Sequence, residues 1–367
     1  MVYLRNAWYV AAWSDEVSDN LLTRRILNEQ VLLYRTEAGE LVATANTCPH
    51  RFAPLHLGKV VGDAIECPYH GLRFNGEGRC VFNPDGDGRI PAGARLRTYP
   101  ITERLGAAWI WMGDPARADL AMIPDFEFLE DPSYRTVKGV LHVRANYRYI
   151  NDNLMDEAHL HMVHHNSLAC DMVRRAKTEL VKDEGGTIWA NRYGRDGAPP
   201  AIFDMMWRMT RGDYEGTMDH WVEGGWKAPC FVRNNTGVVL HGRPRDEGLE
   251  TKNAHLLTPE TDTTTHYFWA ICRNFRTDDA ELDQGIRTGT EYAFVHEDEV
   301  MLNAVQEAMG DREFWSMKPA LLQADIGAVE LRRTLDRMIA AEQAEQAEQQ
   351  AGQADRPQPA RSAEAVG

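Results

Sequence analysis

Two short clips, Cys48-Pro-His50 and Cys67-Pro-Tyr-His70, stand 16 residues apart and together offer two thiols and two imidazoles. Such a set can hold a [2Fe–2S] cluster of the Rieske kind, with the thiolates on one iron and the histidines on the other. Because imidazole is neutral, that cluster carries less negative charge than an all-cysteine one and accepts an electron more readily. Tetrahedral zinc also takes two cysteines and two histidines. Zinc fingers, however, usually put both cysteines in one clip, whereas here each clip carries one of each, as two loops closing on a binuclear cluster require. Arg51, Gly58, Gly62 and Gly71 read as loop residues that let backbone amides approach the sulfurs, or as ordinary turn formers.

A second concentration of ligand types lies at Asn153-Leu-Met-Asp156-Glu-Ala-His159-Leu-His161-Met-Val-His164-His165. Non-haem iron that activates O2 takes two histidines and one carboxylate on one face, leaving the opposite positions open. Strict helical geometry favours His161 with His165, four apart and on one face. The pair His159 and His164 is five apart and needs a bulge or a helix end. For the carboxylate, the stretch 281–309 reads as a long helix in which Phe294, Met301, Leu302 and Val305 form an apolar stripe. Asp298 falls on that stripe, where an ionised carboxylate is costly unless a cation compensates it. A buried ion pair with an arginine is the alternative, and the flanking Glu297 and Glu299 read as solvated.

Around these groups, residues 1 to about 115 are short β-rich runs broken by Gly, Pro, Asn and Asp: Gln30–Tyr34, Leu41–Thr44, Val60-Val61 and Ala107–Met112. They predict a small antiparallel β domain with the clips in its loops. From 116 to 344 the pattern predicts an α+β domain: a strand over 134–148, a helix over 151–165, mixed strands over 200–275 including Thr265–Ala270, and helices over 281–309 and 320–343. Residues 345–367 are poor in large apolar side chains and read as a disordered tail.

With 367 residues, a net charge of −15 and 26% charged side chains, the chain has the composition of an ordinary globular protein. Its acidity argues against nucleic acid or an anionic membrane as partner. No stretch approaches the length of a membrane span, no signal peptide is visible at the first residues, and Cys80, Cys170, Cys230 and Cys272 are spaced as free thiols of a cytoplasmic protein.

The clips, followed by Asn153-Leu-Met-Asp156-x-x-His159-x-x-x-x-His164 and then Glu297-Asp298, resemble the oxygenase component of the Rieske non-haem iron oxygenases over nearly the whole chain. Leu256-Leu-Thr-Pro-Glu-Thr261 and Arg273-Asn274-Phe275 add a likeness to the vanillate and dicamba O-demethylase oxygenase subunits. The resemblance implies an N-terminal Rieske domain and a helix-grip-like catalytic domain. It also implies Fe(II) on His159, His164 and Asp298, O2 as co-substrate, and a flavin or ferredoxin type reductase drawing on NAD(P)H. In a homotrimer, the cluster of one subunit would serve the iron of the next, with Asp156 as the bridge between them; a helix-start acid is its other reading. Asn153 caps that helix or lies near the open iron positions. Asn234 and His255 match positions that hold a substrate carboxylate in the dicamba-type enzymes, while Gly289 stands where those carry a tryptophan. The implied reaction is oxidative O-demethylation of a methoxylated aromatic acid such as vanillate, releasing formaldehyde. A related attack on a sulfonate, N-methyl compound or aryl ether is the alternative.

Overall fold

The computed structural model describes residues 2–18 and 20–354. Ten strands make up the N-terminal part: β1 (Trp8–Trp13), β2 (Leu22–Ile26), β3 (Glu29–Arg35), β4 (Leu41–Ala45), β5 (Lys59–Val61), β6 (Ala64–Glu66), β7 (Arg73–Asn75), β8 (Cys80–Phe82), β9 (Ile101–Arg104) and β10 (Ala107–Trp111). They form three antiparallel sheets, β1-β10-β9, β2-β3-β4 and β5-β6-β7-β8. The clips sit on either side of the β5-β6 hairpin, and Cys48 and Cys67 are buried with Leu32, Tyr34, Leu55, Ile65 and Phe74. Each expected strand in this region is present within a residue or two.

The second part is built on a seven-stranded antiparallel sheet. Its elements are β11 (Arg135–Val143), α1 (Tyr147–Met155), α2 (Asp171–Arg175), β12 (Glu179–Lys182), β13 (Ile188–Gly197), α3 (Ala201–Arg211), β14 (Met218–Lys227), β15 (Phe231–Leu240), β16 (Leu249–Pro259), β17 (Thr265–Arg273), α4 (Ala280–Tyr292), α5 (Glu299–Met309) and α6 (Ile326–Ala354). Strand order is β11-β17-β16-β15-β14-β13-β12. β17 is rich in aromatic and β-branched residues that suit a pleated surface, and its Tyr267 and Trp269 side chains are buried on the face that α1 covers. α1 packs on β14, β15 and β16, and α6 lies across α1 and β13, so the helices grip one face of the sheet. The opposite face packs on the N-terminal part: Phe231, Leu256 and Phe268 share a core with Trp8, Trp109 and Trp111.

Four expectations are corrected. The strand over 134–148 ends at Val143, because Asn146 caps a helix there, its side chain accepting from the Arg148 amide at 2.9 Å. That helix stops at Met155 instead of running through 151–165, since Asp156 is extended (φ −106°, ψ 98°), and His159–His161 form a single 3₁₀ turn. Helix 320–343 begins at Ile326 and continues to Ala354, so residues 345–354 are helical, not tail. Ala, Glu and Gln are good helix formers, and Arg117 pairs with Glu345 at 2.7 Å. The remainder of the expected tail, 355–367, lies outside the described residues. Finally, residues 200–275 open with a helix, α3, before the strands.

The stretch 281–309 is helical throughout but not uniformly α: Ala293–Asp298 is a π turn between α4 and α5. Such turns carry an extra residue and are frequent at functional sites. The inward row is therefore Phe294, Asp298, Leu302 and Gln306, whereas Met301 and Val305, expected in it, are exposed.

Candidate metal centres

Both clips share one backbone construction. Cys48 N–H donates to Ala53 O (2.9 Å) and Cys67 N–H to Leu72 O (2.8 Å). The amide four residues on returns to the cysteine carbonyl, Phe52 to Cys48 (2.9 Å) and Gly71 to Cys67 (3.0 Å). This closes only if the fourth residue is left-handed, as Phe52 (φ 60°) and Gly71 (φ 70°) are; glycine adopts that conformation freely, phenylalanine at a cost. Gly58 serves a different need: its α-carbon lies so near the Glu66 carbonyl that a Cβ would come within 2.0 Å of that oxygen.

The two loops bring the sulfurs together inside and the imidazoles outside, with the His50 and His70 ring centroids 4.5 Å apart. Burial pushes the Cys48 thiol up to about 11, opposed by the His50 and Arg51 amides directed at its sulfur and reinforced by the adjacent Cys67. Thiolates here need a cation to hold them ionised, and the irons of a cluster supply it. Two dry sulfurs and two outward imidazoles fit a Rieske cluster.

Among the described residues, His159, His164 and Asp298 form a group of ligand types whose atoms lie within 4.8 Å of one another. Asp298 Oδ1 is 3.2 Å from His164 Nε2 and 3.6 Å from His159 Nε2. Asn153 Nδ2 donates to the same oxygen at 3.1 Å. Asp298 is thus 3% exposed with histidines and an amide as partners, not an arginine. His161 Nε2 instead faces the Cys170 carbonyl at 3.0 Å. The end of α1 at Met155 explains the choice: in the turn that follows, residues five apart converge, as helical ones could not.

Both histidines are oriented from behind. His159 Nδ1 contacts the main-chain oxygen of Asp156, while the Asp156 carboxylate lies 4.0 Å away and accepts from the Ala158 amide at 2.8 Å. Asp156 ends α1; it does not start it. His164 Nδ1 donates to Glu297 Oε2 at 2.7 Å. With Nδ1–H engaged, the Nε2 lone pairs are free to face Asp298, the tautomer that a metal requires. Burial disfavours an imidazolium at His164, but Asp298 and Glu297 outweigh it and raise its pKa above the ordinary value. Glu297 is the residue missed by sequence reasoning, which placed it in solvent. An α turn would point Glu297 and Asp298 about 100° apart; in the wider π turn they take opposite edges of one imidazole.

Across from the triad lies the covered face of the sheet. His255 is buried there, its Nδ1 2.7 Å from the Tyr267 hydroxyl and its ring centroid 6.0 Å from that of Phe294. Burial pulls its pKa down to about 4, so the imidazole is neutral. Asn234 is one rung away on the same face, its buried Oδ1 without a hydrogen-bond partner among the described residues. At Gly289, a Cβ would meet nothing within 4 Å. Asn153 does not cap α1, since Asn146 does; it steadies Asp298 instead.

Residues 7–100 match the Rieske [2Fe-2S] domain, and residues 143–341 the vanillate O-demethylase oxygenase C-terminal domain. The chain belongs to the Rieske non-haem iron oxygenases. The oxygenase is 44% identical over 344 residues to the oxygenase component of chloroacetanilide N-alkylformylase from Rhizorhabdus wittichii, covering 93% of this chain and 97% of that one. It is 39% identical to the dicamba O-demethylase oxygenase component of Stenotrophomonas maltophilia, covering 92% and 98%. The crystal structure of dicamba monooxygenase bound to 3,6-dichlorosalicylic acid superposes with a TM-score of 0.86 at 38% identity, covering 94% and 100%. A dicamba monooxygenase structure with non-haem iron and dicamba aligns at 0.79 and 36% identity, covering 94% and 100%. The oxygenase is accordingly an oxidoreductase with a Rieske [2Fe–2S] cluster and a mononuclear non-haem iron, and its relatives are components of systems with further parts. No helix among the described residues is long and apolar enough to cross a membrane.

Proposed function

We propose that this oxygenase oxidatively dealkylates a small aromatic substrate, with Fe(II) held by His159, His164 and Asp298 and the cluster by Cys48, His50, Cys67 and His70. The observation that carries the reading is the His159, His164 and Asp298 set, half-buried at His159 and buried at the other two, oriented from behind by Glu297 and Asp156 and facing the covered sheet face. Iron in such a set supplies O2 activation and transfer of one oxygen atom to carbon. The chain's own part is positional. Glu297 and the Asp156 carbonyl hold the imidazoles in the metal-binding tautomer, Asn153 fixes the Asp298 carboxylate, and the sheet face presents the guest.

The overall balance is that R–X–CH3, O2, two electrons and two protons give R–XH, formaldehyde and water. A C–H bond beside heteroatom X is hydroxylated, and the resulting hemiacetal or hemiaminal carbon leaves as the aldehyde. Electrons come from a reductase, of the NAD(P)H-dependent flavin or ferredoxin type. In a homotrimer Asp156 would bridge His159 to a neighbouring cluster, a role that the 30% exposure of its side chain supports. Residues 1–115 serve as the cluster domain and 116–344 as the iron domain, in the cytoplasm.

For the substrate, a methoxylated aromatic acid such as vanillate is one form of the reading, with Asn234 and His255 holding the guest. N-Dealkylation of an aromatic amide is the second, supported by the likeness to the chloroacetanilide N-alkylformylase component. The test is formaldehyde release with a purified reductase across methoxybenzoates, methoxybenzamides and N-alkyl anilides, together with metal counting. Three irons per chain and an aldehyde product support dealkylation; ring hydroxylation without aldehyde refutes it.

A further inference from the structure

Tyr267 on β17 stands diagonally across from His255 on β16: His255 pairs with Trp269 and Leu257 with Tyr267, which puts Tyr267 and His255 on the same covered face within reach of each other. Tyr267 is 1% exposed, and its hydroxyl lies 2.7 Å from His255 Nδ1, the only hydrogen bond it makes among the described residues. The two rings and Phe294 form one aromatic group, with centroids 5.8, 6.0 and 4.7 Å apart. Phe294 belongs to the π turn and precedes Asp298 in its inward row, so this group adjoins the iron set.

The sense of the hydrogen bond between Tyr267 and His255 follows from counting partners. Burial keeps both groups neutral, since it pushes the phenol well above its ordinary pKa and pulls the imidazole down to about 4. A neutral imidazole has one N–H and one lone pair. With the hydrogen on Nδ1, the phenolic hydrogen would be buried with no acceptor and Nε2 would be a bare lone pair, so two groups would go unmet. With the phenol donating, its hydrogen and the Nδ1 lone pair satisfy each other, and a single N–H at Nε2 is left over. Because each buried polar group left unbonded is costly, the phenol donates. Nε2 points away from Tyr267, has no hydrogen-bond partner among the described residues and, unlike Asn234 Oδ1, is not sealed in.

We propose that Tyr267 is a positioning residue: by donating to Nδ1 it fixes His255 as the Nε2–H tautomer, so that the pocket wall offers a neutral N–H donor and favours an aromatic guest carrying a carbonyl-type acceptor oxygen. Without that anchor the imidazole is free to turn or to exchange tautomers and present a lone pair, which would favour a donor on the guest instead. The inference rests on the dealkylation reading for the identity of the pocket. It adds the hydrogen-bonding sense that the pocket demands, which a carboxylate and an amide both meet through oxygen.

The first readout is the imidazole itself, by nuclear magnetic resonance of protein carrying nitrogen-labelled histidine, with the cluster oxidised and zinc in place of the mononuclear iron. His255, recognised by the loss of its signals in His255→Gln, should show a protonated Nε2 and an unprotonated Nδ1 shifted by the phenol's hydrogen bond, and Tyr267→Phe should abolish that shift. A protonated Nδ1 in the wild type overturns the proposal. The second readout uses the iron-loaded holoprotein under anaerobic conditions and two guests of nearly equal shape: 4-methoxyacetophenone, which has a carbonyl acceptor, and 4-isopropenylanisole, which has none. The wild type should bind the ketone about fivefold more tightly, the worth of one hydrogen bond, and Tyr267→Phe should bring the two dissociation constants within about twofold of each other. Equal binding of the two guests by the wild type overturns the proposal even if no variant folds, and so does a variant that weakens both guests alike, the mark of a structural role. Formaldehyde release under turnover is scored separately: the expected tautomer and preference without any aldehyde leave Tyr267 as the positioning residue and refute dealkylation.

Discussion

Replacing Glu297 removes the carboxylate that orients His164 without touching a ligand atom. The His164 Nδ1–H to Glu297 hydrogen bond is 2.7 Å long, with the imidazole 4% and the carboxylate 23% exposed. A hydrogen bond to a charged group contributes about 1.5–3 kcal/mol, and the partial exposure of Glu297 puts this one near the lower end. Losing it frees the imidazole to turn or to take the wrong tautomer, so Glu297→Ala should weaken Fe(II) binding by about tenfold, the conversion of about 1.4 kcal/mol and the low end of what outer partners of metal-bound histidines are worth. Glu297→Gln keeps a neutral acceptor worth roughly half as much and should cost about threefold. The assay strips the mononuclear iron while keeping the cluster, then titrates Fe(II) anaerobically against a coloured chelator. An alanine variant with an unchanged cluster spectrum and Fe(II) affinity within about twofold of wild type would refute the argument that Glu297 acts through His164.

Other outcomes follow from the same geometry. His164→Ala should lower the iron content by one per chain with the Rieske paramagnetic signal retained, and loss of both centres together would contradict their separate construction. Arg332, 3% exposed on α6, grips Asp152 of α1 through Nε at 2.7 and 2.8 Å. Arg332→Ala leaves that acid unpaired and should cost about 3 kcal/mol in urea unfolding; a change under about 1 kcal/mol would show the pair to be ornamental. His220 is buried, and burial lowers its pKa to about 4. The unfolded chain takes up that proton near pH 6.5 and the folded one only near 4, so stability is lost as pH falls through this window, by up to about 3 kcal/mol. Stability–pH curves of the wild type and His220→Gln should diverge there, and parallel curves would exclude the contribution.

What was readable in the chain differs from element to element. The N-terminal strands and the two clips are local: cysteine and histidine two or three residues apart in Gly- and Pro-rich loops carry their chemistry wherever the loops go, and strand periodicity survives in β3, β4 and β10. The histidine density at 159–165 and the inward placement of Asp298 were also legible, the latter because Phe294 and Leu302 bracket it at helical spacing. Choosing between histidine pairs was not, since both spacings occur within one short segment and only the end of α1 at Met155 decides.

The sequence by itself therefore determined which atoms were available: two thiols and two imidazoles in paired clips, a surplus of imidazoles further on, and a carboxylate on a largely apolar row. Tertiary structure alone decided which of them meet. The π turn that carries Glu297 and Asp298 to two edges of His164, the ring contact that seats Phe294 against Tyr267, and the core shared between Trp109 and Phe231 join segments far apart in the chain. Local patterns cannot encode such meetings, because the energy that selects them comes from burying surfaces whose partners exist only after the sheet has closed against its helices.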